Sequence, residues 1–194
     1  MRSEMKIEKN PKTESGRMDM ELRIENAKPE DAGQIAAFLK CVRDGMEEPD
    51  WFVADEETYI KELLETGRGF IWKVLCCPSG CLGAVLSVWI PGDSPENLGC
   101  DAGLSQSALK LAAHIDSVAV SPQLRGRGLQ HRLMELAERR LWQQGFRYLF
   151  CTVHPDNRFS RNNMEKCGFY SIKRTEKYGG LPREVMGKKL EKKQ

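Results

Sequence analysis

Residues Ala113 to Gly145 read AHIDSVAVSPQLRGRGLQHRLMELAERRLWQQG. The order within this run, apolar strand, glycine turn, amphipathic helix, decides the fold. Ile115, Val118, Ala119 and Val120 form an apolar, partly β-branched stretch, as a buried strand requires. Ser121-Pro122 ends it, because proline cannot donate to a ladder. Gln123-Leu124-Arg125-Gly126-Arg127-Gly128 follows, and its two glycines allow a tight turn and a close approach by a ligand. In the next segment Leu129, Leu133, Leu136, Ala137 and Leu141 share one helical face, with Gln130, Arg132, Glu135, Glu138 and Arg139 opposite. Gly145 is its stop signal. A helix that opens in a glycine turn directs free N–H groups and the positive end of its dipole outward. With Arg125 and Arg127 adding charge, the implied ligand is a phosphate or pyrophosphate.

Other phosphate-binding turns fail on spelling. A nucleoside-triphosphate loop needs Gly-Lys-Ser/Thr after four intervening residues, and none is present. A dinucleotide fingerprint needs a third glycine where this chain has His131. The pattern Gln123-x-x-Gly126-x-Gly128, set between a strand ending Val-Ala-Val and a long amphipathic helix, resembles the GNAT family of N-acetyltransferases. In that family the turn cradles the pyrophosphate of coenzyme A. The resemblance covers about residues 20–191 and is most specific from 113 to 170. It implies an α/β fold with a mixed, mostly antiparallel sheet, splayed central strands and flanking helices.

The chain has 194 residues and a net charge of +2, room for one domain with a real core. A near-balanced charge gives no nucleic-acid footprint. No apolar run approaches the ~20 residues of a membrane span, and the N-terminus lacks the apolar centre of a signal peptide. There are 7 cysteines, irregularly spaced and without a Cys-x-x-Cys pair. They predict reduced, mostly buried thiols in a cytoplasmic protein, and no metal site. Residues 1–19 are charged and aperiodic and predict a disordered leader. Residues 20–194 form the expected acetyltransferase domain.

Within that domain, Glu21–Asn26 alternates as a first strand. Pro29-Glu30-Asp31 opens a helix with Ile35, Phe38, Leu39 and Val42 on its apolar face. A polar loop carries Trp51 and Phe52, either as core plugs, the favoured reading, or as walls of a substrate pocket. Asp55–Thr66 predicts a second helix. Phe70–Cys76 and Leu82–Ile90 predict a hairpin, and residues 91–107 a long functional or mobile loop. A short helix precedes Ala113. Tyr148–Val153, Arg158–Lys166, Phe169–Lys177 and Glu184–Leu190 then read as strand, helix, strand, strand.

Acetyl transfer from a thioester to an amine needs the donor held, its carbonyl polarised, the amine deprotonated and the thiolate protonated. The resemblance gives the holding to the backbone of Arg125, Gly126, Arg127, Gly128, Leu129 and Gln130. It also gives it to Val118, Ala119 and Val120, along which the pantetheine arm lies like an added strand. Asn157 matches a position whose amide contacts that arm, with Ser160 one turn on; Asn157 equally suits a helix N-cap. The acid departs from the family. Many members have a tyrosine four residues before the Gly168-Phe169 pair, where this chain has Met164, and a thioether has no proton to give. Tyr178 is a substitute from a loop, unless it is simply a packing or surface tyrosine. For the base, His114 and Asp116 stand two apart on one strand and so share a face, and histidine titrates near neutrality. In the competing reading Asp116 binds backbone or arginine and His114 is semi-exposed. The expected activity is acetyl-CoA-dependent acetylation of a primary amine on a small molecule, amino acid or peptide. The alternative is a non-catalytic coenzyme A-binding module of the same fold. Neither nucleic acid nor membrane is an expected partner, and a homodimer is open.

Overall fold

The computed structural model describes residues 5–6 and 21–192. The expected leader, residues 1–19, lies outside the described residues apart from Met5–Lys6. These two residues form strand β1 and pair antiparallel with β2 (Glu21–Asn26). A 3-10 turn at Pro29–Asp31 leads into α1 (Ala32–Asp44). Its acids take the first turn, and the Lys28 N–H donates to the Asp31 carboxylate at 2.8 Å. Then come α2 (Glu57–Glu65), β3 (Gly69–Cys77), β4 (Cys81–Trp89), the short α3 (Gln106–Leu109) and β5 (Ala112–Val120). The chain closes with α4 (Leu129–Gln143), β6 (Tyr148–Val153), α5 (Arg158–Lys166), β7 (Tyr170–Lys177) and β8 (Leu181–Lys189). Helix α2 starts two residues later than expected, because Asp55 turns its carboxylate toward the sheet and accepts a bond from Ser117 Oγ at 2.7 Å.

The eight strands form one sheet in the order β1-β2-β3-β4-β5-β6-β8-β7. Only β5 and β6 run parallel; the other neighbours are antiparallel. The sheet is therefore mixed and mostly antiparallel, flanked by helices, as expected. One face is covered by α4, with Leu133, Met134, Ala137 and Leu141 packed on Val74, Leu86 and Ile115. The other is covered by α1 and α2 through Ile35, Leu39, Ile60 and Leu63 against Ile71, Val85 and Ala119. Apolar residues at helical spacing on α4 and at period two on the strands supply both interfaces.

Two irregularities shape the centre. Strand β5 carries an extra residue, Asp116, where the pairing with β4 steps from Ser87↔Ser117 to Val88↔Ile115. Such a bulge bends its strand and raises the local twist. Strands β5 and β6 pair only from Ala112↔Tyr148 to His114↔Phe150. Past that point they part, leaving Ile115–Val120 of β5 without a neighbour on that side. The loop 91–107 is a chain of tight turns around the buried Asn97. The Asn97 amide donates to the carbonyls of Gly92 and Leu109, and its oxygen accepts from the Gly99 N–H. The loop thus has a fixed core. The cysteines depart from expectation as well. All seven are thiols, but only Cys151 is buried, while Cys41, Cys81 and Cys100 are exposed. No helix among the described residues is long and apolar enough to cross a membrane.

Candidate active site

The parting of β5 from β6 opens a cavity of about 1030 Å³. Its floor is β5 on one side and Cys151–Val153 of β6 on the other. The glycine turn and α5 lie side by side at one end, where Asn163 donates to the Gln130 side chain, and the loop between α1 and α2 covers the cavity. Leu124, 2% exposed, anchors the turn in the core. Gly126 and Gly128 have φ of 77° and 70°, the left-handed region that side chains with a Cβ rarely adopt. The first backbone bond into α4 runs from the Arg132 N–H to the Gly128 carbonyl at 3.0 Å. The N–H groups from Gly126 to His131 therefore have no backbone acceptor among the described residues. They stand at the positive end of a 15-residue helix, the arrangement that binds a pyrophosphate.

Of the residues the sequence assigned to the cofactor, Val118, Ala119, Val120, Arg125, Gly126, Gly128, Leu129, Gln130, Asn157 and Ser160 all line this cavity, and Arg127 does not. Asn157 caps α5, its Oδ1 accepting from the Ser160 N–H at 3.0 Å. That bond uses the carbonyl oxygen and leaves the NH₂ group as a donor, so capping and contact are compatible. The cradle fits a long thiol ester of a nucleotide. It offers free N–H groups for phosphates at one end and an unpaired strand edge for an amide-bearing arm along its length. Met164 is 2% exposed and contacts the Gln130 side chain through sulfur at 3.9 Å; it offers no proton.

His114 is placed differently from the sequence reading. It is 4% exposed, not semi-exposed. Its ring stands edge-on to Trp89 and Phe150, and Nε2 accepts from the Leu98 N–H at 3.1 Å. Burial, with Lys177 adding to it, pushes its pKa down to about 3. A neutral imidazole whose lone pair is engaged and which does not reach the cavity has nothing to offer an ammonium. The face shared with Asp116, inferred from period two, is present: His114 pairs with Trp89 on the α1–α2 side, while Ala113 and Ile115 pack toward α4, and the bulge adds Ser117 to it. There Asp116 and its neighbour Ser117 both reach toward the α2 side, bonding Tyr59 and Asp55.

Asp116 does line the cavity, at the centre of a polar cluster. The Tyr59 hydroxyl donates to Asp116 Oδ2 at 2.5 Å. Burial raises the Asp116 pKa, with Tyr59 opposing and Glu96 adding to the rise. Asp55 is pushed up to about 7 by burial, then by the Asp116 charge, with the Ser117 bond opposing. Tyr178 joins from the β7–β8 turn, at φ 53°, with its hydroxyl 3.0 Å from Thr152 Oγ1. Burial, along with Asp116 and Asp55, holds its proton on, against the Thr152 bond and Arg183. Tyr178 does not line the main cavity; it reaches the cluster from the side. Asp55, Tyr59, Ser117 and Thr152 were missed in the sequence. Nothing in their spacing links them, since 57 residues separate Tyr59 from Asp116.

Trp51 and Phe52 both wall the cavity, where the sequence reading favoured core plugs. Trp51 stacks on His154 with centroids 5.6 Å apart, while Phe52 also packs on the α1–α2 core. Next to them Arg183, 2% exposed, donates to the Asp50 carbonyl at 3.1 Å. These contacts pin the α1–α2 loop across the opening between β5 and β6.

Solved structures share this architecture. A GNAT-family acetyltransferase from Streptococcus pneumoniae superposes with a TM-score of 0.63 at 18% identity, covering 88% of this chain and 99% of its own. The ribosomal-protein-S5-alanine acetyltransferase from Vibrio fischeri gives 0.64 at 15%, covering 96% and 97%. An N-acetyltransferase from Staphylococcus aureus gives 0.64 at 18%, covering 88% and 99%. No curated protein sequence matches the chain. The model of the Acetyltransferase (GNAT) family matches residues 30–169. Strand, glycine turn and helix, the splayed strands and this match agree: the chain belongs to the GNAT acetyltransferase family.

Proposed function

We propose that this protein transfers an acetyl group from acetyl-CoA to a primary amine of a small molecule or peptide. The observation that carries the reading is the juxtaposition along one cavity of an anion-binding turn, an unpaired strand edge and the half-buried Asp116, with Asp55 behind it. Acetyl-CoA, when bound, supplies an acyl group activated as a thioester. The N–H groups of Gly126–His131 hold its phosphates, with Arg125 adding charge. The Val118–Val120 backbone and the Asn157 amide align its arm. Amines arrive mostly as ammonium ions at neutral pH, so a proton must leave the nitrogen. Asp116 faces the cavity and is the group that takes it, with Asp55 beside it as a second carboxyl able to share it. Tyr59 fixes the Asp116 carboxylate by its hydrogen bond. Tyr178 keeps its proton and is the side-chain donor on this flank; Met164 supplies none.

A second reading, a coenzyme A-binding module without catalysis, is favoured by the buried Met164 at the family's tyrosine position. Thiol release from acetyl-CoA with a panel of amines separates the two. Amine-dependent release supports the enzyme. Coenzyme A binding in calorimetry without release under any amine supports the module.

A further inference from the structure

The cavity is electrically two-ended. At the phosphate end its lining includes Arg125, His131 and Lys166. On the side covered by the α1–α2 loop the charged residues lining it are Glu47, Glu48 and Asp116, with Asp55 bonded to the bulge below. No lysine, arginine or histidine forms an ion pair with any of these four acids among the described residues. The ion pairs of the fold lie elsewhere, at Lys73–Asp31, Lys177–Asp101 and Lys188–Glu138, for example. Two of the four, Asp55 and Asp116, are half-buried against the sheet and are met by hydroxyls, Ser117 and Tyr59, with no cation. The other two, Glu47 and Glu48, are exposed at the rim. Trp51 and Phe52 line the cavity alongside them and offer apolar faces to methylenes and an aromatic face to a cation.

Resting on the acetyltransferase reading, we infer that the acceptor is a dication: an amine carrying a second positive charge a few methylenes from the nitrogen that is acetylated. The reacting ammonium meets Asp116. The distal charge meets Glu47 and Glu48, and the carbon chain between them lies against Trp51 and Phe52. The same field repels an acceptor with a carboxylate next to its amine, which excludes free α-amino acids.

Thiol release from acetyl-CoA is measured with a series of α,ω-diamines, n-alkylamines of the same chain lengths and α-amino acids. Per reactive amine, diamines are expected to exceed matched monoamines in kcat/KM by about 2- to 30-fold, the range that one or two partly exposed ion pairs supply. The gain sits in KM and shrinks as salt is raised. In the double variant Glu47→Gln/Glu48→Gln, at exposed positions that leave the core untouched, the diamine-to-monoamine ratio per reactive amine falls toward one. Equal turnover of matched monoamines, a preference for α-amino acids, or a ratio that survives the double variant overturns the inference and leaves the acetyltransferase reading standing. Absence of release with every amine removes that reading, and the inference with it.

Discussion

Asp55 and His114 are the two residues whose protonation the fold changes most usefully, and they act in opposite directions. Asp55 is raised from the ordinary carboxylate range to about 7, so the pair it makes with Asp116 is fully competent as a base only above that value. The rate of amine acetylation under subsaturating amine is expected to rise with pH through about 7. In Asp55→Asn that inflection disappears from the pH–rate profile. Asp116→Asn removes the proposed proton acceptor and is expected to lower kcat by roughly 100-fold or more, while coenzyme A affinity in calorimetry is expected to stay nearly unchanged. His114, lowered to about 3, titrates the other way in stability. Its neutral folded form gives stability that is complete above its unfolded pKa of about 6.5 and is lost as pH falls from there toward 3. Asp55, raised, gives stability that is complete below the unfolded value of about 4 and is lost as pH rises through 7. Between those limits the two slopes oppose each other. Because Asp116 is raised by burial as well, the double variant Asp55→Asn/Asp116→Asn is expected to unmask the His114 slope, up to about 1.4 kcal/mol per pH unit, visible in denaturant titrations run from pH 7 down to pH 4. The sequence singled out both His114 and Asp116. It could not tell them apart, because burial and the Leu98 N–H, not residue type, decide which one is available.

At the scale of elements, the glycine turn, the bulge and the α1–α2 loop each do one job. The turn needs positive φ at Gly126 and Gly128. A Cβ there meets no atom within 4 Å, so the cost of a side chain is backbone strain and intrusion on the ligand, with no clash in the core. Gly126→Val/Gly128→Val is expected to abolish coenzyme A binding in calorimetry while circular dichroism remains that of the folded protein. The strain itself is about 1–2 kcal/mol per site, small enough for a domain of this size to survive. The bulge turns Asp116 and Ser117 together toward α2, and this creates the carboxyl pair. The loop is tied by Arg183 to the Asp50 carbonyl and by Trp51 to His154. Arg183→Lys keeps the charge but gives up the planar fork. It is expected to raise KM for the amine up to about 10-fold, the worth of one charge-assisted hydrogen bond, with the coenzyme dissociation constant unmoved.

For the whole molecule, the central fact is a sheet left open in its middle. Strands β5 and β6 share ladder bonds along three residue pairs, and the arm of the cofactor is expected to supply pairing for the rest. A ligand that binds only the folded state at 100 times its dissociation constant adds about 2.7 kcal/mol, which for a domain of this length shifts the melting temperature by roughly 5–11 °C. Thermal unfolding at increasing coenzyme A should show that rise, and the turn variant should lack it. Much of this was legible in the chain. A strand with Val-Ala-Val at its end, Gln123-x-x-Gly126-x-Gly128 and an amphipathic helix are local signals carried by contiguous residues. They were enough for the fold and the family resemblance, and of the eleven residues singled out for the cofactor ten line the cavity. The hairpins and helices were legible too, to within a few residues at their ends, because period and turn chemistry are also local. Of the acceptor side only Asp116 and Tyr178 stood out in the chain, without the neighbours that surround them. Asp55, Tyr59, Asp116, Thr152 and Tyr178 come from two loops, one helix and two strands. Their meeting depends on an extra residue in β5, which puts the consecutive Asp116 and Ser117 on one face. Sequence by itself thus determined the half of the site built from one continuous segment. Only the tertiary structure decided the other half, because burial and through-space charge set which carboxyl can hold a proton, and neither is written in the spacing of residues along the chain.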